Sequence, residues 1–90
     1  MSMRSKENYP RDAQITRAFG VGLRSILWKQ DIMQKELAQR SGISAVTISN
    51  IVNGRRGPSV AVAYLLAEAL DCTIDDVLQY GGGELLKCRK

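Results

Sequence analysis

Between Gln34 and Asn53 the chain reads QKELAQRSGISAVTISNIVN, and this stretch limits the possible fold more than any other. Leu37 and Ala38 face inward from a short helix that begins near Gln34 and ends near Ser41. Gly42 supplies the left-handed residue that closes it. Ser44 then offers a hydroxyl cap to a second helix. Ile48 and Ile51 lie one turn apart on the buried side of that helix, and Asn53-Gly54 ends it. Two short helices joined this tightly pack only if particular positions are small or apolar. Ala38 is small where the helices approach, and Ile43, Ile48 and Ile51 fill the angle between them. One face of the second helix is left uncovered.

The same periodicity extends over the rest of the chain and predicts five helices and no strands. In the first, Ile15, Phe19, Gly22/Leu23 and Ile26/Leu27 recur at helical spacing, Asp12 is placed to cap the start, and Lys29-Gln30-Asp31 ends it. Ser59 caps a fourth helix whose inner face is expected to be Val60, Ala63, Tyr64, Leu66, Ala67 and Leu70. Thr73 opens a fifth. Its spacing to Asp76 is that of a capping box with a shorter acid, and Asp75 and Asp76 suit the helix dipole. Ile74, Val77 and Leu78 point inward. Gly81-Gly82-Gly83 reads as a helix stop and flexible joint before a tail. The expected organisation is therefore a flexible basic arm over residues 1–11, one domain over 12–80, and a joint and tail over 81–90.

Ninety residues suffice for one compact domain. The chain has no histidine, so it lacks the commonest general base and the commonest metal ligand. No Gly-rich loop precedes a helix to cradle phosphate. Two cysteines make neither a disulfide framework nor a metal site. Cys72, among apolar residues, reads as a small buried hydrophobe, and Cys88 as a free thiol in the tail. These features argue against an enzyme and against any cofactor or metal. No apolar run approaches the length of a membrane span. The polar N-terminus lacks the apolar stretch of a signal peptide, so a cytoplasmic protein is expected.

Charge is unevenly distributed. Residues 1–56 carry ten Lys and Arg against four Asp and Glu, whereas residues 57–86 carry five acids and no base. A basic half on an acidic base fits one face built for a polyanion.

With these elements in order, the sequence resembles the Cro/CI-type (XRE-like) helix-turn-helix domain of phage repressors and bacterial regulators. The resemblance covers residues 15–79. It rests on Gln34-x-Glu36-Leu37-Ala38, Ser41-Gly42-Ile43-Ser44, Thr47-Ile48-Ser49-x-Ile51, Asn53-Gly54-Arg55-Arg56, Pro58-Ser59 and Leu70-x-x-Thr73-Ile74-Asp75-Asp76-Val77-Leu78. It implies an all-α, compact five-helix bundle of the lambda-repressor-like type, double-stranded DNA as partner and usually a homodimer. The uncovered face of the second short helix would enter the major groove.

Site roles follow from the resemblance position by position. Ala45, Val46 and Asn50 fall at base-facing positions, flanked by Thr47 and Ser49. Asn50 can pair with adenine through two hydrogen bonds. Ala45 and Val46 can only pack on thymine methyls, which leaves part of the specificity to DNA shape. Gln34, Lys35, Ser44, Asn53, Arg55 and Arg56 are the expected phosphate contacts. Arg4, Lys6 and Arg11 would form the arm. Arg17 and Arg24 share one side of the first helix and read as a solvated face, with a phosphate contact by either as the alternative.

The sequence departs from the family pattern in three places. Many relatives carry an arginine at the position of Leu27 and a glutamate at that of Val52. Here both are aliphatic, a paired exchange that can be neutral or stabilising. Met33 stands where a Ser or Thr usually caps the helix, leaving Glu36 as half a capping box. Val62, Leu65 and Ala69 form an apolar stripe on the fourth helix where many relatives are polar, which suggests a dimer contact, joined by Tyr80 and by Leu85 and Leu86 of the tail. The reading is a sequence-specific regulator of transcription, a repressor binding a two-fold symmetric operator, with no effector pocket evident. The alternative is an antitoxin-like module whose main partner is protein.

Overall fold

In the computed structural model, which describes the backbone of residues 5–87 and the side chains of residues 11–81, five helices follow one another: α1 Ser5–Gln30, α2 Gln34–Ser41, α3 Ala45–Val52, α4 Val60–Ala69 and α5 Ile74–Lys87. No strand occurs among the described residues. α1 packs most extensively on α5 and also on α3, while α2 touches α3 and α4. Phe19, Leu23, Ile26 and Leu27 of α1 meet Leu37 of α2, Ile48, Ile51 and Val52 of α3, Ala63, Leu66 and Leu70 of the α4 segment, and Val77 of α5 in one core. Leu27 and Val52 thus share an apolar interior. Among the described residues no polar or charged side chain is buried, so the core carries no desolvation cost for unpaired polar groups.

The helix ends follow from local chemistry. Ser44 and Ser59 cap α3 and α4 by accepting the N–H of Thr47 and Val62. At the start of α5 the box closes in both directions. The Thr73 N–H donates to Asp76 Oδ2 and the Asp76 N–H to Thr73 Oγ1, each at 3.1 Å. Three C-termini share the paired-bond stop in which a left-handed residue turns the chain back. Gly54 fills that position after α3, with φ 75°. Asp31 and Asp71 fill it after α1 and α4, with φ 59° and 61°. An Asp accepts this region more readily than most side chains.

Four expectations are corrected. α1 begins at Ser5, so Asp12 lies inside the helix rather than at its cap. Of the expected arm, Arg4 and the side chain of Lys6 lie outside the described residues; Arg11 is exposed on α1. α5 does not stop at Tyr80 but runs through the three glycines to Lys87. The reason is tertiary. A Cβ on Gly22 would overlap the Val77 carbonyl oxygen, and one on Gly81 would overlap the Ala18 carbonyl oxygen. Gly22 and Ala18 of α1 and Gly81 and Val77 of α5 are each one turn apart, so the two glycines, lacking Cβ, let the helix backbones come into contact. Leu85 and Leu86 fall where side chains are not described, and Cys88 lies outside the described residues.

Third, Val60 and Tyr64, placed inside by periodicity, are exposed, while Val62 and Ala69 are half-buried and pack on the core. Helix α4 reads VAVAYLLAEA, apolar nearly all round, so spacing alone could not choose its inner face. Fourth, Glu36 does not serve as the remnant of a capping box. Its carboxylate takes a hydrogen bond from Arg40 at 2.7 Å, one turn on.

Candidate nucleic-acid interface

The geometry of the site begins at the end of α2. Gly42, with φ 81°, donates its N–H to the Ala38 carbonyl and turns the chain. The Ile43 N–H is taken up by Ser41 Oγ at 3.1 Å, and Ser44 caps α3. Ile48 and Ile51 are fully buried against α1 and α2. That anchorage fixes the rotation of α3 and turns Ala45 and Val46 to solvent, with Val46 71% exposed. Thr47, Ser49 and Asn50 are half-buried at the flanks. The base-facing residues expected from the sequence therefore form one accessible surface.

The far end of α3 is fastened more closely than the sequence revealed. The Gly54 N–H bonds to the Ile51 carbonyl and the Arg55 N–H to the Asn50 carbonyl, at 3.1 and 2.8 Å. This stop sets the Arg55 backbone beneath the helix end, and its guanidinium reaches the Asn50 side-chain oxygen at 3.5 Å. Asn50 and Arg55 are thus neighbours. Asn53 donates its amide to the Ser49 carbonyl and hydroxyl at 2.9 and 3.3 Å, and its Oδ1 accepts from Arg24 at 3.4 Å. Asn53 thus acts here as a cap that holds Arg24. The Ser44 hydroxyl accepts from Thr47 N–H and donates to Thr47 Oγ1 at 2.9 Å.

The start of α2 is the second element of the candidate interface. Met33 occupies the N-cap with extended backbone but forms no side-chain cap. The first N–H groups of α2 are therefore open to an anion. Gln34 is half-buried beside them and Lys35 is exposed. Arg55 and Arg56 are exposed beyond α3, where they line a groove with Arg17 and Asp12 of α1. Residues 41–57 contain no acid. Cations therefore stand just beyond the end of α3 and at the start of α2, and the exposed part of α3 carries the apolar Ala45 and Val46.

Chemistry elsewhere on the chain is sparse. Burial, reinforced by the carboxylates of Asp76 and Asp71, pushes the Cys72 thiol up from its ordinary pKa. Tyr80 lies against Lys29, whose ammonium sits 5.4 Å from the ring centre and 3.4 Å from the hydroxyl. Among the described residues no three His, Cys, Asp or Glu side chains gather, and no helix is long and apolar enough to cross a membrane.

A family model described as helix-turn-helix matches residues 23–77, more than half of the chain. The chain belongs to the XRE-type helix-turn-helix family. This is a family of DNA-binding regulators. The match runs from the buried Leu23 of α1 to the buried Val77 of α5. The chain is similar to the HTH-type transcriptional repressor RghR of Bacillus subtilis, 38% identical over 66 residues that make up 72% of this chain and 49% of that protein. It therefore spans about half the length of that relative. It is also similar to an uncharacterized HTH-type transcriptional regulator of Archaeoglobus fulgidus, 33% identical over 61 residues, 68% of this chain and 86% of that one. No solved structure matches.

Proposed function

We propose that this helix-turn-helix chain is a sequence-specific, double-stranded DNA-binding regulator of transcription, and that it represses by occupying a two-fold symmetric site as a homodimer. One observation carries the reading: α3 exposes Ala45, Val46 and the edge of Asn50, with no acid between residues 41 and 57 and with Arg55 and Arg56 exposed just beyond it. In this reading α3 lies in the major groove. Asn50 hydrogen-bonds a base edge, and Ala45 and Val46 pack on thymine methyls. Thr47 and Ser49 border these contacts. Gln34, Lys35, Ser44, Arg55 and Arg56 bind phosphate, and Asn53 contributes by holding Arg24. The names of the similar regulators support the regulatory role, and the repressor among them supports its sign.

The dimer contact is assigned to the outer side of α4. Leu65, 37% exposed, forms its centre with the exposed edges of Val62 and Ala69. Tyr80 joins it only on the side not held by Lys29. The same exposed apolar residues would serve an antitoxin-like role if a different protein covered them.

Selection of bound duplexes from a random pool tests the reading. The expected product is a motif with two-fold symmetry and half-sites about one helical turn apart. Asn50→Ala should relax preference at one or two base pairs, and Arg55→Ala should weaken binding to every duplex. A pool that emerges unenriched, together with unchanged affinity in both variants, would remove the assignment of α3.

A further inference from the structure

We infer that the outer ridge of α1 around Trp28 is a further DNA contact, seating the sugar–phosphate strand that passes the start of α2. This rests on the DNA-binding reading above and extends the interface from α2 and α3 to α1. Trp28 is the chain's single tryptophan and is 86% exposed. It lines a groove with Arg24, Ile32, Met33, Gln34 and Lys35. Met33 is also largely bare, at 76%. Aromatic and thioether groups left uncovered together mark a surface that something else covers.

Three observations favour a DNA strand as the occupant. The groove is lined by two cations, Arg24 and Lys35, and by no acid. Residues 13–30 of α1 contain no acid either. The ridge is also continuous with the interface. Arg17, Val21, Arg24 and Trp28 succeed one another at helical spacing along one exposed side of α1. Arg17 lines a groove with Arg55 and Arg56 at one end, Arg24 bonds Asn53 in the middle, and Trp28 meets Gln34 and Lys35 at the other. Finally, a DNA strand alternates anionic phosphate with apolar sugar. The groove offers both kinds of surface, two cations together with an indole and a thioether. The indole face suits deoxyribose, and its N–H is a donor for phosphate oxygen.

A second copy is the competing occupant, because Asp71, Asp75 and Asp76 near Tyr64 offer an acidic counterpart. That pairing joins two different surfaces head to tail, which builds rings or open filaments rather than the two-fold dimer proposed above.

The single tryptophan makes the test direct. A dye-labelled duplex carrying the selected site reports binding by anisotropy, and the unlabelled duplex reports on Trp28 by its emission. The emission should change over the same titration range as the anisotropy. Trp28→Ala should lower affinity for every duplex by about tenfold, as loss of a backbone contact does. Its thermal midpoint should stay at the wild-type value, since the side chain lies outside the core, and Trp28→Phe should recover part of the loss. Binding with unchanged emission and undiminished affinity in Trp28→Ala would overturn the inference while leaving the DNA reading intact. Emission that shifts with protein concentration in the absence of DNA would assign the ridge to a second copy and overturn it as well. Failure of every duplex to bind at low salt would remove both readings.

Discussion

Gly22→Ala reports on the contact that joins the two longest helices. In an ordinary helix interior this change is favourable by roughly 0.5–1 kcal/mol, because alanine restricts the unfolded chain and suits the helix. Here the added methyl would overlap the Val77 carbonyl oxygen and crowd the backbone nitrogen of Gly81. Both are backbone atoms, which cannot swing away as a side chain can. Overpacking costs about 1–3 kcal/mol, and a rigid neighbour places this site near the upper end, about 3 kcal/mol. Less the helix gain, the net is about 2 kcal/mol of destabilisation. For a domain of this size that corresponds to a fall of roughly 8–16 °C in Tm. Thermal melting followed by circular dichroism measures it, with urea unfolding to check that the m-value is unchanged. Gly42→Ala is the contrasting control, because no atom lies within 4 Å of its built Cβ and only the φ of 81° opposes a side chain. It should cost about 1 kcal/mol. A Gly22→Ala protein melting at or above the wild-type temperature would refute the close approach of α1 and α5.

Three further outcomes are expected. Met33→Ser should raise Tm by about 4–8 °C, since a hydroxyl at this extended N-cap supplies the missing bond, worth about 1 kcal/mol, and Met33 gives up little burial. Arg56→Ala should weaken binding to all duplexes and reduce the slope of log K against log salt by about one, measured by anisotropy across a salt series. In a Cys88→Ser background, Cys72 should react slowly with a maleimide near neutral pH, because its raised pKa keeps it a neutral thiol. The folded thiol holds its proton more tightly than the unfolded one. The Cys72 contribution to stability should therefore decline as pH rises above the unfolded thiol's pKa, observed as a falling urea midpoint.

The sequence exposed the local chemistry of α2 and α3 and little of the chemistry between distant segments. Gly42, Ser44, Ile48 and Ile51 each act within one or two turns of the chain, so spacing was enough to place them. The glycines of α5 were misread because their reason lies in α1, more than fifty residues away. Asp12 was read as a cap because nothing nearby announced that the helix begins earlier. In α4 the pattern is apolar on nearly every side, so only packing distinguishes the buried Ala63 and Leu66 from the exposed Val60 and Tyr64. Within the site, the outward residues of α3 were legible from periodicity and family position. The Asn50–Arg55 and Asn53–Arg24 pairings were not, because each depends on where a long side chain comes to rest after folding. The exposure of Trp28 carried no sequence signal beyond its position on the outer side of α1.

The most direct test of the central claim is an amide-resolved NMR titration of the chain with a duplex carrying its selected site. The largest shifts should fall on residues 44–50, on Gln34 and Lys35, and on Gly54 to Arg56, with the acidic segment from Asp71 to Asp76 little changed. Shifts concentrated on that acidic segment, with Ala45, Val46 and Asn50 unmoved, would contradict the claim.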